Sequence, residues 1–327
     1  MLPPRAIASF GLAGLTVMCS GMATGQSATA GAGQAYPIKP IRIATAGVGG
    51  GNDVIARLIA QGISGPIGQQ VIVDNRPTRL LPDLVAKAAP DGYTLMVYSG
   101  GLWLLPFMAD VSYDPVKDFA PVTFAARSPL VVVVHPTLPV RSIKDLIALA
   151  KARPGELNFS TGGSGSSSHL APELFKQMTG VNMVRIPYKS GAVEIADLIG
   201  GQLQLTFGGG GTVAPYVKSG RLAAIAVTSP QPSALFPGLP TVASSGLPGY
   251  ESVQIFGLFT QAKTPDAVIR QLNQEIVKYL STAETKERIL SAGLEAVGSS
   301  PEEFAAVIRA EMARMGKVIR DAGIRDE

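Results

Sequence analysis

Three glycine-rich turns carry the residues whose types and spacing could do chemistry. They are Gly47-Val48-Gly49-Gly50-Gly51-Asn52-Asp53, Thr161-Gly162-Gly163-Ser164-Gly165-Ser166-Ser167-Ser168-His169 and Gly208-Gly209-Gly210-Gly211-Thr212. Each stands between an apolar, strand-like run and a helix start. Without a Cβ, backbone can come close to a ligand. The helix start beyond offers unpaired N–H groups and roughly half a positive charge. That combination suits a small anion, and a carboxylate held there needs no arginine. A single such turn could be an ordinary strand-to-helix connection; three in one chain favour a site.

Other readings of these residues stay open. Asp53 can cap its helix or meet a ligand amine. Capping is favoured, because a carboxylate beside an anionic ligand would compete with it. Ser166 and Ser167 can donate hydroxyls to a carboxylate or cap the helix that follows. His169, one of two histidines with His135, reads as a packed, hydrogen-bonded helix residue before it reads as a base or ligand contact. Trp103, the single tryptophan, could stack on a ligand or sit in the core or on a lobe surface. Val48, at the tip of the first turn, is a candidate for contact with the ligand's side chain.

Enzyme signatures are lacking. Gly162-Gly163-Ser164-Gly165-Ser166 has serine where a G-x-S-x-G nucleophile elbow needs its last glycine. Gly49 to Asp53 lacks the G-K-[ST] ending of a phosphate loop. Two histidines in separate segments, and a lone cysteine (Cys19) in the leader, give no zinc site. Glu302-Glu303 is explained by charge complementarity at a helix start. No catalytic residue, metal or cofactor is expected.

The elements that must position the turns alternate between strand and helix. Ile41 to Thr45, Val71 to Asp74, Thr94 to Tyr98, Leu130 to Val134, Leu203 to Phe207, Ala223 to Val227 and Ser252 to Phe259 read as strands, and Leu157-Asn158-Phe159 leads into the second turn. Helices are expected over Asp53 to Ile63, from Ser142 to Ala150, from the second turn to about Met178, and near Val213 to Val217. Ser142 with Asp145 resembles a capping box. Three closing helices are signalled by Thr264-Pro265, by Ser281 with Glu284, and by Ser300-Pro301-Glu302-Glu303. Alternation of this kind predicts an α/β protein with mostly parallel sheets flanked by helices. Ligands in such sheets collect at the carboxyl ends of strands, where all three turns fall.

The 327-residue chain carries a net charge of +4. The excess is scattered, with no basic block, so nucleic acid is not an expected partner. Arg5 followed by the apolar Ala6 to Met22 reads as an export signal. Small-x-small cleavage sites follow at Gly21-Met22-Ala23, Ala28-Thr29-Ala30 and Gly33-Gln34-Ala35. Met18 before Cys19 argues against lipidation. Residues 1–35 are therefore expected to be a signal peptide, cleaved between 23 and 35, and the mature protein to lie in a bacterial periplasm. Roughly 290 residues remain, free of cysteine, enough for a core divided between two lobes.

The order of several short segments resembles a receptor family. They are Tyr36-Pro37-Ile38-Lys39-Pro40-Ile41-Arg42, Gly49-Gly50-Gly51-Asn52-Asp53, Asp74-Asn75-Arg76-Pro77 and Ala88-Ala89-Pro90-Asp91-Gly92-Tyr93-Thr94-Leu95. Tyr113-Asp114-Pro115-Val116-Lys117-Asp118-Phe119-Ala120-Pro121, Pro187-Tyr188-Lys189-Ser190-Gly191-Ala192 and Leu239-Pro240-Thr241-Val242 continue the series. Ser245-Gly246-Leu247-Pro248-Gly249-Tyr250 and Phe256-Gly257-Leu258 complete it. From about Tyr36 onward the chain resembles the receptors of tripartite tricarboxylate transporters, periplasmic solute-binding proteins of the Bug/TctC type. The resemblance implies a two-lobed, flytrap-like periplasmic-binding-protein fold, type II-like, with a carboxylate held by loop backbone, hydroxyls and water. Carried over, the binding residues are Gly50, Gly51, Asn52 and Asp53; Gly163, Ser164, Gly165, Ser166, Ser167 and His169; and Gly208 and Gly209. Two departures stand out. Thr45-Ala46-Gly47-Val48 lacks the family's prolines and aromatic residue, and Thr78-Arg79-Leu80-Leu81-Pro82 replaces a glycine-rich continuation.

The expected function is a monomeric receptor that closes on a small carboxylate-bearing solute and delivers it to membrane transporter subunits. A periplasmic enzyme on the same scaffold, or a sensor presenting its closed form to a signalling partner, are the alternatives. Lobe one is expected to combine 36–134 with 253–327 and lobe two to span 135–252, divided at His135-Pro136 and after the Pro/Ser/Gly-rich Ser229 to Gly249.

Overall fold

The computed structural model describes residues 36–188 and 190–326. The expected signal peptide lies outside the described residues. In chain order the elements are β1 (Ile41–Thr45), α1 (Gly51–Ser64), β2 (Val71–Asn75), α2 (Leu81–Ala86), β3 (Thr94–Ser99), α3 (Gly101–Leu104), β4 (Phe119–Val134) and α4 (Ile143–Ala152). Next come β5 (Asn158–Thr161), α5 (Ser167–Thr179), β6 (Val184–Pro187), α6 (Gly191–Ile199), β7 (Leu205–Gly209), α7 (Gly210–Lys218) and β8 (Ala223–Val227). The last are β9 (Val253–Gln261), α8 (Asp266–Ser281), α9 (Ala283–Ser291), β10 (Glu295–Ala296) and α10 (Pro301–Asp321). No helix among the described residues is long and apolar enough to cross a membrane.

The strands run in the order β2-β1-β3-β9-β4-β7-β5-β6. The outer groups, β2-β1-β3 and β6-β5-β7, are parallel as expected. The middle differs: β3–β9, β9–β4 and β4–β7 are antiparallel, so the sheet is mixed. Helical crossovers connect the parallel strands, and their carboxyl ends carry the glycine turns.

β4 is the backbone of this arrangement. Its first half pairs with β9 and β10, its second half with β7 and β8. Alternation sorts its side chains between faces. Val131 and Val133 join Ile195, Leu198 and Val213 under α6 and α7. Leu130, Val132 and Val134 join Phe159, Phe175 and Phe207 in a cluster that also holds Trp103, Phe259 and Phe304. A strand buried on both faces reads as an unbroken valine run. A third cluster packs Ile55, Ile59 and Ile63 of α1 and Leu272 and Ile276 of α8 against Ile41, Ile43, Leu95 and Val97.

The helix starts test local reasoning. Ser300 and Glu303 form a complete capping box. Ser142 accepts from the Asp145 N–H, while Asp145 reaches one residue further back to the Arg141 N–H. Two expected caps are displaced. Thr264 is buried and bonds the Thr260 hydroxyl, so α8 starts without a side-chain cap. At α9 the cap is Thr282, accepting from the Thr285 N–H, because Ser281 still belongs to α8.

Candidate functional site

A cavity of about 370 Å³ opens beside the second glycine turn. Gly163, Ser164, Gly165, Ser166 and Ser167 line it together with Ser99, Gly100 and Gly101 at the end of β3. Thr78 and Arg79, Tyr98, Ser252 to Ile255 at the start of β9, Glu311 and Met315 of α10, and Asp326 also line it. Leu104, Leu105, Met108 and Leu170 make an apolar side.

The second turn is built to present donors. Gly165 sits at φ +72, a left-handed conformation open mainly to glycine. Its N–H is taken by His169 Nδ1 at 3.2 Å, which ties the turn to the helix behind it. Ser166 is the N-cap of α5 by position, yet its side chain caps nothing. Its hydroxyl lies 3.2 Å from that of Ser168, whose oxygen accepts the Gly162 N–H at 2.9 Å. The first-turn N–H groups of α5, at Ser167 and Ser168, have no partner within the helix and remain for an outside acceptor. Backbone N–H groups, serine hydroxyls and the positive end of a 13-residue helix therefore converge on one wall. That arrangement has the chemistry to hold an anion.

His169 is a packed residue, 4% exposed. Burial, with Arg185 and Lys176 nearby, lowers its pKa to about 4. The imidazole is neutral at ordinary pH and acts as an acceptor for the turn. Trp103 is fully buried against Phe259 and Phe304 and donates its indole N–H to Glu311 Oε2 at 2.7 Å. It supports the cavity from behind and is not part of its lining.

The first and third turns lie elsewhere. Gly50, Gly51, Asn52, Gly208 and Gly209 do not line this cavity. A Cβ on Gly51 would stand 2.6 Å from the Phe256 ring, and one on Gly208 2.5 Å from Val213 Cγ1. Those glycines admit neighbouring side chains. Val48 is 77% exposed at the loop tip. Asp53 is structural: it accepts from the Gly49 N–H (2.9 Å), Arg57 Nε (3.0 Å) and Asn75 Nδ2 (2.8 Å). Burial pushes its carboxyl up, but the bonds from Arg57, Asn75 and Gly49 outweigh it and hold the group below its ordinary range. Hydrogen bonds to a charged group contribute about 1.5–3 kcal/mol each, partly offset here by solvent around Arg57. Asp53→Ala is expected to lower stability by roughly 2 kcal/mol in urea unfolding near pH 7. Because the carboxyl is depressed, that difference should fade as pH falls through its folded value. An unchanged midpoint would contradict this role.

Sequence reasoning missed several wall residues. Tyr98-Ser99-Gly100-Gly101 repeats the pattern of an apolar strand, a glycine turn and a helix start, and that signal was present. Glu311 falls on the buried face of α10 with Phe304, Ile308, Met315 and Ile319, an acid at a core position. Thr78 and Arg79 come from the stretch that departs from the family pattern. Arg79 and Asp326 both line the cavity and pair with each other at 2.7 Å.

The profile of the family described as "Tripartite tricarboxylate transporter family receptor" matches residues 55–324. The chain belongs to this receptor family. It is similar to protein BugT of Bordetella pertussis, at 33% identity over 319 residues, covering 95% of this chain and 96% of BugT. Among solved structures, the receptor is similar to an R. palustris protein determined with adipate, at 34% identity and TM-score 0.73, covering 89% of this chain and 100% of that one. It is also similar to a TctC solute-binding protein from Polaromonas solved with no ligand. There the identity is 25% and the TM-score 0.80, over 88% of this chain and 99% of that one. The fold is that of periplasmic solute-binding receptors, a family and fold of receptors and not of enzymes.

Proposed function

We propose that this receptor encloses a small carboxylate-bearing solute in the periplasm and delivers it to the membrane subunits of a tripartite-type transporter. The observation that carries the reading is the convergence of the unpaired first-turn N–H groups of α5 and the Ser166 and Ser167 hydroxyls on a half-apolar cavity. The adipate in the R. palustris relative supports a carboxylate of modest length. No bond is made or broken. Lobe one is 36–134 with 253–327, and lobe two is 135–252. The cavity is lined from both, by Thr78 to Met108 on one side and Gly163 to Leu170 on the other.

On closure the first turn, Gly50 to Asn52, and the third, Gly208 and Gly209, move toward the solute as a hinge at the two crossings turns. Losing one hydroxyl donor to a charged group should weaken binding roughly ten- to a hundredfold. Ser166→Ala and Ser167→Ala test this by calorimetry with adipate and shorter dicarboxylates. If both variants fold normally and keep wild-type affinity, the anion is held elsewhere. Recovery of the solute unchanged separates the receptor from an enzyme.

A further inference from the structure

Glu311 is a carboxylic acid placed where an anion site would not be expected to carry one. It is 6% exposed and lines the cavity. Its Oε2 accepts the Trp103 indole N–H. Its Oε1 lies beside Gly100, another wall residue, where a Cβ would be 3.9 Å away. An ionised carboxylate this buried needs several donors to replace water. Trp103 supplies one. The nearby cations are paired with other carboxylates but not exhausted. Arg314, on the same helix, pairs with Glu251 ahead of β9 at 3.1 Å while its Nε finds no partner, and Arg79 pairs with Asp326, a second acid of the cavity wall. Tyr98 of β3 is a neutral phenol whose hydroxyl donates to the Thr78 carbonyl. The facing turn, Gly163 to Ser167, brings no charged side chain.

We propose that Glu311 contacts the ligand as a neutral acid, its Oε1–H donating a hydrogen bond to an oxygen of the bound carboxylate. The inference rests on the reading of this cavity as a carboxylate site. When Glu311 is ionised in the free protein, binding takes up one proton from solvent, and that proton sits between Glu311 and the solute. Burial raises the carboxyl to about 7, with Glu251 adding to the rise and Trp103 and Arg314 opposing it. The uptake therefore falls within ordinary working pH. The device also sets specificity, because a neutral acid favours an anionic oxygen where an ionised one would favour an amine.

The test is calorimetric titration of the full mature protein with succinate, glutarate and adipate between pH 5.5 and 8.5, in buffers of differing ionisation enthalpy. Referred to the fully ionised solute, whose second carboxyl itself titrates at the low end of this range, affinity is expected to be flat below pH 7 and to fall about tenfold per pH unit above it. Beyond the solute's own proton balance, uptake should rise from near zero at the low end toward one per ligand at pH 8.5. Glu311→Gln keeps an acceptor for Trp103 and a donor for the ligand, so it should bind with no pH slope and no uptake. Carboxylate binding by the wild type with neither slope nor uptake overturns the proposal and leaves the receptor reading intact. So does tighter binding of amine-bearing ligands as pH rises. Absence of any carboxylate binding at any pH overturns the receptor reading itself. The wild-type uptake measurement stands even if the variant folds poorly.

Discussion

Alanine in place of Gly165 is expected to damage both the fold and the site. Gly165 holds φ +72, and a Cβ there would meet Met108 Sδ at 2.3 Å and Cε at 2.5 Å. The left-handed conformation costs a residue with a Cβ about 1–2 kcal/mol, and overpacking adds about 1–3. The Met108 tip is flexible and can yield, but it lines the cavity, so it yields into the space for the solute. Roughly 2–5 kcal/mol of stability should be lost, seen in urea unfolding, with carboxylate affinity falling beyond tenfold. Gly163 provides the comparison. It lines the same cavity, yet nothing lies within 4 Å of where its Cβ would stand. Gly163→Ala should leave the unfolding midpoint in place. Wild-type stability in Gly165→Ala would show that the turn is not held as described.

Glu311→Gln is expected to change how stability depends on pH. The folded carboxyl titrates at about 7 against an ordinary 4.5. A raised value means the folded state binds the proton more tightly than the unfolded state. The contribution is therefore fully present below 4.5 and lost as pH rises through about 7. The wild type should lose about 3 kcal/mol across that interval from this group, and glutamine removes the loss. The variant should be more stable than wild type at pH 8 and closely matched at pH 4.5. His169 titrates in the opposite sense. Its depressed value keeps its contribution full above 6.5 and loses it as pH falls through about 4, so it must be constant in the comparison. Parallel pH profiles for wild type and variant would contradict the placement of Glu311.

The sequence displayed the glycine turns and the alternation because both are local patterns. β5, β7 and β8, with their helices, follow from apolar runs punctuated by glycine. The first half of β4 was hidden by Pro121 and Pro129, which lack the N–H a central strand normally supplies. The strand accommodates the segment with register shifts between Pro121 and Thr123 and between Phe124 and Ala126. The antiparallel middle of the sheet was hidden too, since pairing of β4 with β9 joins segments more than a hundred residues apart.

At the site, sequence could not separate two reasons for a glycine. Gly163 borders open space, while Gly51 and Gly208 make room for Phe256 and Val213. Both kinds read alike in one dimension. Ser166 and Ser168 posed the same difficulty: only the geometry shows that Ser168 anchors the turn and that the Ser166 side chain caps no helix N–H. Glu311 needed the opposite inference. A lone acid on an apolar helix face is legible as an anomaly, but its place on the cavity wall and its bond to Trp103, 208 residues away in sequence, come only from the fold.

Titration of the mature protein with linear dicarboxylates, followed by recovery of the solute, decides whether the second glycine turn holds a carboxylate that leaves unchanged. Saturable binding of one solute per chain is expected, weakened roughly ten- to a hundredfold by Ser167→Ala, with the solute recovered intact. No binding by any carboxylate, full affinity in both Ser166→Ala and Ser167→Ala, or a converted solute would contradict it.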